Sequence, residues 1–79
     1  MKELLEYIVT SLVDDAEQVN VIQNRRGAEV NLQVRVAKED MGRVIGKNGR
    51  VANAMRVLLN VTAVQQNKRV SMDIEEPED

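Results

Sequence analysis

Two glycines three residues apart, Gly46 and Gly49, break an otherwise helical stretch, and this break constrains the chain more than any other feature. Lys38 to Ile45 reads as a short helix, and Arg50 to about Gln66 reads as a long one. Glycine reaches backbone conformations closed to other residues, so Gly46-Lys47-Asn48-Gly49 predicts a tight helix-loop-helix junction. The remaining elements must pack around that junction. Leu4, Leu5, Ile8, Val9 and Leu12 recur at helical spacing, which predicts a first helix over Lys2 to Val13. Val30 to Val36 alternates apolar and polar without a fault, the mark of a strand with one buried face. Glu17 to Gln23 reads as an earlier strand, joined to it through a turn at Asn24-Arg25-Arg26-Gly27. Val70, Met72 and Ile74 alternate along a last strand, Arg69 to Ile74.

The element order is therefore α-β-β-α-α-β, an α+β arrangement of two layers. The short turn predicts an antiparallel hairpin, and the long helical crossover permits a parallel third strand. The expected fold is a three-stranded mixed sheet with its second strand in the middle and three helices on one face. Residues 1–79 read as a single domain, with a core over about 4–74 and an acidic tail over 75–79. A chain this short buries only about 60% of the surface its unfolded form exposes. Its 43% apolar residues still suffice for one modest core.

Composition removes several chemistries. With no Cys and no His, disulfides, thiolate or imidazole metal sites and His-based catalytic triads are excluded. No cofactor, metal or catalytic residue is expected. No apolar run is long enough to span a membrane, and Met1-Lys2-Glu3-Leu4 is unlike a signal peptide. A cytoplasmic location follows as the expectation.

A net charge of −2 argues against a nucleic-acid binder when taken alone. The distribution argues otherwise. Met41 to Met72 carries Arg43, Lys47, Arg50, Arg56, Lys68 and Arg69 and no acid at all, while five of the thirteen acids fall in Asp73 to Asp79. A local positive field acts on a polyanion whatever the net charge. Tyr7 is the only aromatic, which excludes modes that stack bases on several aromatic rings.

The loop itself suits a phosphate. Its glycines permit close approach to the main chain, and the helix starting near Gly49 or Arg50 aims free N–H groups and a positive dipole end at it. Lys47 and Arg50 add full charges, and Asn48 adds a neutral donor and acceptor. Two glycines alone would fit a plain turn equally well.

With the flanking Val44-Ile45 pair and the element order, these residues resemble the K-homology (KH) family, whose loop has the form Gly-X-X-Gly after an aliphatic pair. The α-β-β-α-α-β order resembles the type II form of that fold. The run Gly42 to Arg50 is similar to the small bacterial KhpA family of stand-alone KH proteins. The resemblance implies a non-catalytic protein, an RNA chaperone or post-transcriptional regulator, that clamps about four nucleotides of single-stranded RNA. It implies backbone contacts from Gly46, Lys47, Asn48 and Gly49 and an apolar floor from Val44 and Ile45. Arg43, Arg50 and Arg56 become candidates for phosphate contacts. Arg25 and Arg26 offer a second grip, although a solvated turn accounts for them as well.

Other motifs carry less. Gly42 stands one residue too close to Gly46-Lys47 for a P-loop, and Asn48 replaces the hydroxyl that would hold Mg²⁺. Asn60-Val61-Thr62 is a formal glycosylation sequon inside a predicted helix. The acid pairs Asp14-Asp15 and Glu39-Asp40 fit helix boundaries, where capping explains them.

The long helix has more apolar residues than one face needs. Val51, Ala54, Met55, Leu58 and Thr62 form the expected core stripe, and Val57, Val61 and Val64 widen it to roughly twice the usual ~100°. Wrapping by the sheet and first helix is one reading. The other is an interface, and the family resemblance implies a homodimer or a heterodimer with a larger KH-containing partner. An adaptor that uses the fold mainly for pairing is the competing function, and single-stranded DNA binding a minor one.

Overall fold

A computed structural model of the chain describes residues 1–75; the acidic tail from Glu76 onward lies outside the described residues. Helix α1, Lys2–Leu12, buries Leu5 and Val9, four residues apart on one face. A single 3₁₀ turn, Ala16–Gln18, leads into β1, Asn20–Arg26. Strand β2, Glu29–Arg35, is followed by a 3₁₀ turn, Lys38–Asp40, and helix α2, Met41–Ile45. A further 3₁₀ turn, Lys47–Gly49, opens α3, Arg50–Gln65, and β3, Arg69–Glu75, closes the fold.

The three strands form one sheet in the order β1-β2-β3. β1 and β2 are antiparallel, from Asn20↔Arg35 to Arg26↔Glu29. β2 and β3 are parallel, from Glu29↔Arg69 to Arg35↔Glu75, a pairing the α2–α3 crossover makes accessible. The mixed α+β fold with β2 in the centre matches the expectation from sequence. Val30, Leu32 and Val34 point from β2 into the core, and Asn31 and Arg35 lie on the open face. Burying each such Val or Leu contributes about 1.5–3 kcal/mol. The open face is polar apart from half-buried Ile22, as expected where a sheet meets solvent on one side.

Three boundaries differ from the sequence reading. The first strand lies three residues further on than Glu17 to Gln23, because Ala16–Gln18 forms a turn and Val21 alone of the Val19, Val21, Ile22 group is buried. The hairpin is correspondingly tighter. Arg25 and Arg26 belong to β1, and Gly27-Ala28 makes the turn, with Gly27 at φ +60° in the first turn position, where a primed turn needs glycine. Glu75 belongs to β3 rather than to the tail, and its Oε2 accepts from Arg35 Nε at 2.7 Å.

Helix α3 is turned from the expected orientation. Its buried residues are Ala52, Met55, Leu59 and Ala63; Ala54 and Leu58 are exposed, and Val51 is half-buried. The rotation is nearly that of one residue, about 100°. The buried stripe includes two small residues, Ala52 and Ala63, and the larger Val57, Val61 and Val64 are left exposed.

Candidate nucleic-acid interface

The loop is built by backbone departures at three of its four residues, Gly46, Asn48 and Gly49. Helix α2 stops where Gly46 N–H donates to Gly42 O at 2.8 Å. Gly46 itself sits at φ 76°, ψ 172°, a region open essentially to glycine alone. Asn48 (φ 57°, ψ 27°) and Gly49 (φ 74°, ψ 15°) are both left-handed, and Gly49 N–H donates to Gly46 O at 3.2 Å. Arg50 returns to the right-handed helix at φ −63°. Steric space reinforces the choice at Gly46: a Cβ there would lie 2.5 Å from Val51 Cγ2 and 2.9 Å from Val51 N.

The side chains of Lys47, Asn48 and Arg50 are all exposed on this turn. No side chain caps the start of α3, since Gly49 occupies the N-cap position. Two N–H groups at this start are taken within the turn, that of Gly49 by Gly46 O and that of Arg50 by Lys47 O; the positive end of the helix dipole still lies beside the two cations. Among the described residues, neither Lys47 nor Arg50 forms an ion pair.

The aliphatic pair before the loop divides. Val44 is fully buried and belongs to the core, out of reach of any ligand; Ile45 is 37% exposed beside the glycines. An apolar floor at the loop therefore draws on Ile45 and not on Val44. Adjacent helical residues point about 100° apart, so one of the two had to face inward.

The arginines divide as well. Arg43 Nη1 is 2.7 Å from Asp14 Oδ1. Arg56 reaches the free edge of β3, where its Nε and Nη2 donate to Met72 O at 3.4 and 3.3 Å, and its Nη1 donates to Asn53 Oδ1 at 3.4 Å. Of the cations singled out from sequence, the structure gathers Lys47 and Arg50 at the loop, commits Arg43 and Arg56 to protein partners, and carries Arg25 and Arg26 to the end of β1.

One organising residue escaped the sequence reading. Asp40 is 3% exposed, and its two carboxylate oxygens accept the N–H groups of Asp14 and Asp15 at 3.1 Å each. It makes no cap to α2. Instead it ties the α1–β1 connection to the base of α2 and holds Asp14 beside Arg43. An acid at a helix boundary reads locally as a cap; only the fold brings Asp14 and Asp15 to it.

On the far side of α3, Val57, Val61 and Val64 are 61%, 54% and 74% exposed. With Asn60 and Gln65 they line a shallow hollow. Sequence reading left their role open between core and interface; the sheet and first helix do not cover them.

The chain is similar to known proteins over nearly its whole length. A family model described as "KhpA/KhpB, KH domain" matches residues 2–74. Similar proteins include the RNA-binding protein KhpA of Clostridium acetobutylicum, 47% identical over 74 residues that cover 94% of this chain and 99% of the relative. The RNA-binding protein KhpA of Clostridium perfringens is 45% identical over the same shares of each chain. That of Chlamydia pneumoniae is 42% identical over 96% of this chain and 97% of its own.

Proposed function

The chain belongs to the KhpA/KhpB family of KH domains, and from that premise we propose that it is a non-catalytic RNA-binding protein that clamps single-stranded RNA at Gly46-Lys47-Asn48-Gly49. The observation that carries the reading is the loop: two left-handed residues, two unpaired exposed cations and an uncapped helix start converge on one exposed turn. Sugar-phosphate meets the main chain of Gly46 to Gly49, Lys47 and Arg50 neutralise phosphates, and Ile45 offers an apolar surface to a base. Such a clamp needs no aromatic platform, which fits a chain whose one aromatic is Tyr7. A role as RNA chaperone or post-transcriptional regulator in the cytoplasm follows from a clamp that reads backbone and does no chemistry.

Changing Lys47 and Asn48 together to Asp tests the clamp. Two carboxylates beside phosphate repel it, and both side chains are exposed, so the fold is kept. Binding to a pool of cellular RNA should collapse. Unchanged binding would sink the reading.

A second element of the proposal is pairing. Three exposed valines in one stripe favour an interface with a second copy of this chain or with a larger KH-containing partner. One clamp on about four nucleotides binds weakly, and two joined clamps gain avidity. If the adaptor function held instead, the loop variant would keep every activity of the protein and the valine face alone would matter.

A further inference from the structure

Helix α3 and strand β3 lie side by side and run in opposite directions. Lys68 N–H donates to Ala63 O at 2.8 Å where the helix hands the chain to the strand. Asn60 lines a hollow with Val70 and Ser71, and Arg56 donates to Met72 O. Residue numbers therefore fall along α3 as they rise along β3. From Arg56 back to Arg50 the helix covers about 9 Å, and from Met72 on to Glu75 the strand covers about 10 Å. The end of β3 is thus level with Arg50 and the glycine loop.

What continues from that point is acidic. The family match ends at residue 74, and the chain goes on with Glu75-Glu76-Pro77-Glu78-Asp79. Glu75 is engaged by Arg35, whose Nε lies 2.7 Å from its Oε2. Glu76, Glu78 and Asp79 bring three further negative charges and lie outside the described residues. Pro77 has no N–H to give a neighbouring strand. Four extended residues reach about 13 Å, more than the ~10–12 Å width of a helix. That length brings the acids to Lys47 and Arg50, which are exposed and form no ion pair among the described residues. Arg43, the next cation back along the chain, is already held by Asp14.

We propose that Glu76, Glu78 and Asp79 act as an autoinhibitory segment, pairing with Lys47 and Arg50 until RNA phosphates displace them. The proposal rests on the RNA-binding reading of the loop and adds its regulation. A carboxylate tethered within reach of a cation competes at an effective concentration in the millimolar range. Exposed ion pairs are individually weak, so the segment yields to RNA rather than sealing the loop. Apparent affinity is the loop's own affinity reduced by the fraction of molecules whose cations are open. The segment therefore raises the threshold for binding. A phosphate that touches one cation loses to it, and a strand that also meets the main chain of Gly46 to Gly49 displaces it.

The triple variant Glu76→Gln/Glu78→Gln/Asp79→Asn of the full chain tests this, titrated with a random-sequence single-stranded RNA and followed by fluorescence anisotropy. Its affinity at low salt should exceed the parent's roughly three- to ten-fold, the size of two exposed charge contacts. In a Lys47→Gln background the same three changes should give a smaller gain. Unchanged affinity overturns the proposal. So does a gain of equal size in both backgrounds, which would assign the effect to net charge. The RNA-free protein supplies a readout independent of the clamp. Neutralising the three acids should shift the amide resonances of Lys47 to Arg50 in NMR spectra and leave those of β1 in place. Loop resonances that stay at their parent positions overturn the proposal. Retained RNA binding in Lys47→Asp/Asn48→Asp refutes the loop clamp instead, while the RNA-free shifts still report on the acidic segment.

Discussion

Gly46 lies so close to Val51 that a methyl group on its α-carbon would stand 2.5 Å from Val51 Cγ2 and 2.9 Å from the Val51 backbone nitrogen. Contact with a backbone atom cannot be relieved by a rotamer change. The φ of 76° with ψ of 172° adds a conformational penalty of about 1–3 kcal/mol for any other residue. Gly46→Ala should therefore lower stability by more than about 2 kcal/mol in urea unfolding and displace the start of α3. Gly49 differs. It has φ 74° and ψ 15° but nothing within 4 Å of an added Cβ. Asn tolerates that region, so Gly49→Asn should cost about 1 kcal/mol or less. Equal losses at both positions would contradict the steric account.

Asp40 holds two backbone N–H groups from a site that is 3% exposed. Asp40→Ala leaves those donors without their acceptor and should cost about 2–3 kcal/mol of unfolding free energy. Asp40→Asn keeps one accepting oxygen but turns an NH₂ toward the second N–H, so its loss should fall between those of Asp40→Ala and the parent. Amide hydrogen exchange at Asp14 and Asp15 gives the direct readout: both should accelerate in Asp40→Ala, and protection there at the parent level would refute the assigned bonds.

Arg43 is engaged by Asp14, whereas among the described residues Lys47 and Arg50 have no such partner. Arg43→Gln should thus weaken binding of a 12-nucleotide RNA less than Lys47→Gln does. Asp14→Asn releases the guanidinium and should tighten binding, but only while Arg43 is present. The pair is exposed, so either change should shift stability by less than about 1 kcal/mol. A gain in Asp14→Asn that persists in the Arg43→Gln background would assign the effect to general charge rather than to this pair.

Val61 is 54% exposed in the centre of the valine stripe. A carboxylate is tolerated there in a monomer and is costly once another surface covers it. Val61→Asp should leave the thermal melt of the isolated fold close to the parent and weaken self-association at least ten-fold, as read by sedimentation equilibrium. A parent protein that sediments as a monomer across the accessible concentration range would remove the homodimer.

Much of this fold is legible locally. The alternation of Val30 to Val36 selects β2 and the face it buries, because a strand with one wet side has period 2 and admits only one inward set. The loop is legible for a similar reason: the backbone at Gly46 and Gly49 has conformations that few residues accept, so the composition of the turn records its geometry. Strand β1 is harder. Val19, Val21 and Ile22 do not alternate, and the strand's polar outer half, Gln23 to Arg26, pairs because β2 is already there to receive it.

Other features exist only once distant segments meet. Local pattern established the element order, the central strand and the glycine loop, since each depends on the conformations open to a few consecutive residues. Tertiary packing decided which side of α3 faces the sheet, because that helix carries two apolar stripes and periodicity cannot rank them. The fold buried the stripe with Ala52, Met55, Leu59 and Ala63 and left Val57, Val61 and Val64 outside. Packing also separated Val44 from Ile45, committed Arg43 to Asp14, buried Asp40 under the α1–β1 connection and gathered Arg26, Glu29 and Arg69 into one row. The energy of each of these arrangements lies in a contact between segments far apart in the chain, and no short window of residues contains both partners.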